Sequence, residues 1–105
     1  METLKNYIGK KVIIRSYGAG VFFGTLTEVE NSEGKMIVGM KDTRRLWYWD
    51  GAASISQIAT EGVKIPDNCK FTVTVPSMVI SDVLEIIPVS EESIVCLETV
   101  KVWKI

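Results

Sequence analysis

Histidine is absent from the 105-residue chain. That absence excludes Ser-His-Asp and Cys-His nucleophile systems, histidine general bases and His-ligated zinc. Cysteine occurs only at Cys69 and Cys96, too seldom for a four-thiolate zinc site or a disulfide scaffold. One bridge or two reduced, buried thiols remain open, and the thiols are the expected state in a reducing compartment. No apolar run approaches the roughly 18–20 residues of a membrane span. Met1-Glu2-Thr3-Leu4-Lys5 lacks the basic-then-apolar build of a secretion signal, so a cytosolic protein without a membrane partner is expected. Excess positive charge is missing too: 12 Lys+Arg stand against 13 Asp+Glu, a formal net charge of -1. Proteins that grip phosphate backbones usually carry a basic surplus, so long nucleic acid is not an expected partner. A small anion held by a few local arginines stays compatible. No metal-ligand cluster, cofactor motif, linker or repeat is visible, and one domain over residues 1–105 is expected.

What the chain does have is apolar surface. Hydrophobic residues make up 47%, and the mean hydropathy of +0.20 is high for so small a domain. Self-association would cover part of it. Strands are expected at 11–17, 21–29, 35–40 and 45–49, with Asn31-Ser32-Glu33-Gly34 as a hairpin turn. Gly24 marks a bulge or a close backbone approach. The period then changes: Ile55, Ile58 and Ala59 share a helical face, Ser54 and Gln57 fit a capping box, and Gly62 is a stop. Strands resume at 71–75 and 78–87, Ser90-Glu91-Glu92 opens a second short helix reaching Leu97, and 100–105 reads as a docked strand. The expected class is mainly β, a β-sandwich or rolled barrel decorated by one or two short helices.

Only three arginines occur, and two are adjacent, Arg44-Arg45, ahead of Trp47-Tyr48-Trp49. Strand alternation puts Arg45, Trp47 and Trp49 on one face and Arg44, Leu46 and Tyr48 on the other. Guanidinium forks bind phosphate bidentately and aromatic faces stack on bases, so one strand would supply both halves of a nucleotide site. Against this stands a packing role, with each arginine laid over a core ring. Arg15 is a ligand contact, an exposed edge-strand charge, or a charge satisfied by an acidic neighbour. Gly18-Ala19-Gly20 is either a phosphate cradle or a plain tight turn; the strand that follows it departs from the dinucleotide-binding pattern. Asn68-Cys69-Lys70-Phe71 reads as a loop entering a strand.

Three blocks carry a resemblance. They are Lys10–Leu26; Arg44-Arg45-Leu46-Trp47-Tyr48-Trp49 with the helix 52–59; and Asn68–Val73 with Glu85-Ile86-Ile87-Pro88 and Val102-Trp103-Lys104. Together they resemble a family of small phage and prophage proteins, the first type of Thoeris anti-defence protein. The resemblance implies a jelly-roll-like decorated β-sandwich that assembles as dimers or higher oligomers. It implies a non-enzymatic sponge in the host bacterial cytoplasm that sequesters cyclic ADP-ribose isomers, and also cyclic oligonucleotides, without cleaving them. Carried over by position, Arg15 matches a phosphate-contacting arginine, the Arg44-Arg45 pair matches a second basic position of which one member would point at ligand, and Phe71 would stack on adenine. Gly18 of the turn and Tyr48 of the aromatic run join them as candidate ligand-binding residues from the strand and turn reading above. An arginine expected near the C-terminus has no counterpart, since none follows Arg45; Lys101 or Lys104 would substitute without the two-pronged geometry. The competing readings are a phage structural or host-protein interaction module, and a signal-degrading phosphodiesterase built on Asp and Glu.

Overall fold

A computed structural model describes residues 2–105. In chain order the elements are α1 (Glu2–Lys5), β1 (Lys11–Ser16), β2 (Gly20–Ser32), β3 (Lys35–Tyr48), α2 (Ile55–Glu61), a 3-10 turn (Pro66–Asn68), β4 (Lys70–Phe71), β5 (Val75–Ile80), β6 (Val83–Pro88) and α3 (Glu91–Glu98). The chain is mainly β, as its alternating β-branched stretches require. Its strands form one antiparallel sheet in the order β4-β3-β2-β1-β6, with β5 on the outer side of β3.

The sheet is organised by the long β2–β3 hairpin. Glu33 and Gly34 close it with φ of 52° and 79°, the two left-handed positions a two-residue type I′ loop needs. The ladder slips between Phe23 and Thr25 and again between Leu26 and Glu28. Such bulges bend strands and sharpen their twist. β1 pairs only with residues 20–25 of β2, and β5 only with residues 38–43 of β3. The single sheet thus divides into two differently flanked halves that enclose one core: Val12, Ile14 and Phe22 from one half, Val38, Met40 and Ile80 from the other. Gly24 lies at this corner. A Cβ there would come within 2.8 Å of the Thr43 Cβ, so the close approach read from the sequence is real.

The opposite face of the β1 half is covered by helices. Ile13, Phe23, Leu46 and Phe71 pack there against Ile58, Ala59 and Leu97. β1 is buried on both faces, which accounts for its uninterrupted Val12-Ile13-Ile14 run. The α2 cap holds as expected: Ser54 Oγ accepts from the Gln57 N–H at 3.2 Å, and Gly62, φ 85°, ends the helix. Ser90 caps α3, and the Ser93 hydroxyl donates to the Ile58 carbonyl, tying the two helices together.

Four boundaries differ from expectation. β3 is one strand across residues 41–44, carried through by Asp42 at φ 49°. The long strand foreseen at 78–87 breaks at Ser81-Asp82, where Asp82 adopts φ 53° and pairs with Lys35. β4 is two residues long because the Thr72 hydroxyl, rather than a ladder carbonyl, takes the Arg45 N–H. The tail docks through one parallel bridge, Phe71 to Val102, and a 2.8 Å bond from the Trp103 N–H to the Phe71 carbonyl. Among the described residues no helix is long and apolar enough to cross a membrane.

Candidate functional site

Arg44 pairs with Phe23 across β2–β3, which directs it to the helix-covered face. It is 7% exposed and its guanidinium lies 5.3 Å from the Phe71 ring. Its N–H groups donate to four carbonyls: Thr72 at 3.0 Å, Lys101 at 3.2 Å, and Leu97 and Phe71 at 3.4 Å. Burial pulls the guanidinium below its ordinary pKa. One side chain thus clamps the exit of β4, the C-terminal end of α3 and the tail onto β3. Phe71 is 0% exposed and offers no ring face to solvent. The structure brings these two sequence-predicted residues together, but as packing.

Arg45, one residue on, faces the other way. Its guanidinium sits 4.5 Å from the Phe22 ring and donates to the Ala19 carbonyl inside the Gly18–Gly20 turn. That turn therefore presents an oxygen to Arg45. Gly18, φ 81°, has open space around its Cα and serves a tight turn. Arg15 is half-exposed and ion-paired with Glu85 directly across β1–β6, the acidic-neighbour alternative foreseen for it. Arg15 shares the helix-side face with Arg44, whereas Arg45 lies on the opposite one, so the three arginines form no common site within one chain.

The open aromatic surface lies at the end of β3. Trp47 stacks on Trp103 with centroids 5.0 Å apart and planes at 26°. The Lys70 ammonium lies 5.3 Å from one ring and 5.4 Å from the other. Trp47 is 58% and Trp103 45% exposed, and exposed Tyr48 sits opposite Lys70 in the β3–β4 ladder. Three chain segments meet here because the tail bonds to Phe71, the residue after Lys70. Trp49, expected beside Trp47, packs instead against the helix-side core, because β3 ends at Tyr48 and the alternation stops with it. Sequence reasoning read Lys70 as part of a loop entering a strand and Trp103 as part of a docked tail and a resemblance block, and made neither a site residue. Their one available signal was an ammonium and an indole flanking a strand that the tail could reach.

Chemically, this platform offers flat, electron-rich faces for a base or another planar group and a cation for an adjacent anion. Among the described residues no group of three His, Cys, Asp or Glu could hold a metal ion. Cys69 and Cys96 are free thiols, and burial foremost raises the Cys69 pKa.

Fold and surface together define a small, mainly β domain that displays an exposed aromatic–ammonium platform and a largely buried arginine clamp. The chain belongs to the DUF6948 family, a domain of unknown function that matches residues 9–97. Trp47 and Lys70 fall inside the matched region and Trp103 outside it. No curated protein and no solved structure matches the chain.

Proposed function

We propose that the protein is a non-catalytic sponge that binds a small cyclic nucleotide signal and holds it uncleaved. The ligand class is cyclic ADP-ribose isomers, extending to cyclic oligonucleotides, and the setting is a phage countering Thoeris- or CBASS-type defence in the host cytoplasm. The observation that supports this reading is the exposed Trp47–Trp103 stack with Lys70 at its faces, and exposed Tyr48 opposite Lys70 in the ladder. Base stacking on such rings contributes about 1–3 kcal/mol per base. An affinity of about 1 nM needs about -12 kcal/mol, so a ligand wall from a second copy belongs to the proposal.

Incubation with a cyclic ADP-ribose isomer, removal of protein by filtration, and heating of the retained fraction test this. The expected result is depletion from the filtrate and recovery of the intact compound after heating. Cleaved product would replace the sponge by a phosphodiesterase, and an undepleted filtrate would remove the signal from the account. A second reading, a protein-interaction module, is favoured by exposed Tyr17, Val79 and Leu84 away from the platform. It predicts that introducing a charge at those three positions (Tyr17→Glu, Val79→Glu, Leu84→Glu) abolishes activity in cells while changes at Trp47 do not.

A further inference from the structure

A cleft of about 300 Å³ is lined by Lys11, Phe23, Asp42, Arg44, Thr74 and Glu98, with tail valines completing the wall. We propose that this cleft binds a small phosphorylated polyol, anion inward and hydroxyls toward Asp42.

Three observations converge on that class. The innermost charged group is Arg44, whose cation is permanent. Four of its five N–H groups reach carbonyl oxygens, two of them at 3.4 Å, and one Nη1 N–H has no acceptor among the described residues. No carboxylate pairs with it among the described residues. Its hydrogen-bonding demand is largely met, but its charge is not neutralised by a counter-ion. Lys11 supplies a second cation, 5.7 Å from the Phe23 ring, and its one carboxylate contact, to Glu98 at 3.8 Å, is long and part-exposed. An incoming phosphate gains from both cations.

Asp42 decides the rest of the ligand. It projects from a left-handed residue, φ 49°, and no cation pairs with it among the described residues. A bare anion entering the cleft would be repelled by this carboxylate and by Glu98, which also lines the cleft. A ligand carrying hydroxyl donors beside its phosphate turns the same group into an acceptor, and the Thr74 hydroxyl adds to it. The volume sits at the small end of ligand sites, which fits a sugar phosphate or the ribose phosphate of a nucleotide.

Calorimetry of the full chain with ribose 5-phosphate, AMP, ribose and inorganic phosphate tests the assignment. Ribose 5-phosphate should bind at least about tenfold tighter than ribose or phosphate, a difference of about 1.4 kcal/mol. Lys11→Met keeps the stem over Phe23 and should weaken it about tenfold. Asp42→Asn tolerates the left-handed backbone and should bring ribose 5-phosphate and phosphate within about threefold of each other. AMP tighter than ribose 5-phosphate assigns the ligand to nucleotides and equal affinity to sugar phosphates; both sustain the cleft. Ribose 5-phosphate no tighter than phosphate, Lys11→Met without effect, or no heat from any probe at about 10 mM overturns it.

Discussion

Residues 44 and 47 stand three apart on one strand, and each brings a cation together with an aromatic ring. Around Arg44 the ring is Phe71 at 5.3 Å; around Trp47 the cation is Lys70, also at 5.3 Å. The pair distance does not distinguish the two arrangements. What differs is cover: α3 and the tail bury the first, whereas at the second the tail only stacks Trp103 on Trp47 and leaves both indoles about half exposed. The first cation–π pair is consumed in joining elements, while the second leaves ring surface free. Residue type and spacing propose a site, and the element packed on top decides whether it is available.

The comparison is broken most forcefully at its buried side. Phe71→Ala empties a fully buried ring position and should destabilise the fold by about 3–5 kcal/mol in urea unfolding. A stable protein with weakened ligand binding would instead return Phe71 to the site. Arg44→Ala leaves the carbonyls of Phe71, Thr72, Leu97 and Lys101 without their donor, with an expected loss of about 3 kcal/mol. The same unfolding experiment on Trp47→Ala should show a loss within about 1 kcal/mol. Its effect belongs to binding, where about 1–3 kcal/mol of stacking corresponds to roughly a 5- to 150-fold weaker Kd by calorimetry. Arg15→Ala, breaking a half-exposed pair with Glu85, should cost no more than about 1 kcal/mol.

The smallest effect is a pH dependence. Burial raises the Cys69 pKa in the folded chain. Between the unfolded and the folded pKa the unfolded chain binds fewer protons than the native one, so stability falls as pH rises. The contribution is complete below the unfolded thiol pKa and lost as pH climbs through the folded value. Unfolding midpoints across the alkaline range should show that decline in the parent protein and a shallower one in Cys69→Ala.

Local chemistry made much of the scaffold legible. Gly34 announced the hairpin, Ser54 and Gly62 bounded α2, and Gly24 marked the corner that Thr43 fills, because each follows from the backbone needs of its own neighbourhood. Asp42 and Asp82 were opaque: both adopt left-handed conformations, one carrying a strand through and the other ending one, and the residue type does not say which. The site was less legible still. Alternation correctly set Arg44 and Arg45 on opposite faces, but it could not tell that helices cover one of them. Nor could it bring Trp103 beside Trp47 and Lys70, since that contact depends on where the tail docks.

The central claim is that the cyclic nucleotide signal stacks on the open indole pair rather than on the buried Phe71 ring beside Arg44. Replacing Trp49 by Phe leaves Trp47 and Trp103 as the remaining indoles. Titrating that protein with a cyclic ADP-ribose isomer while following tryptophan emission reads the platform directly. The account predicts a saturable change in emission whose midpoint matches the calorimetric Kd. Calorimetric binding accompanied by unchanged emission would place the ligand elsewhere and contradict it.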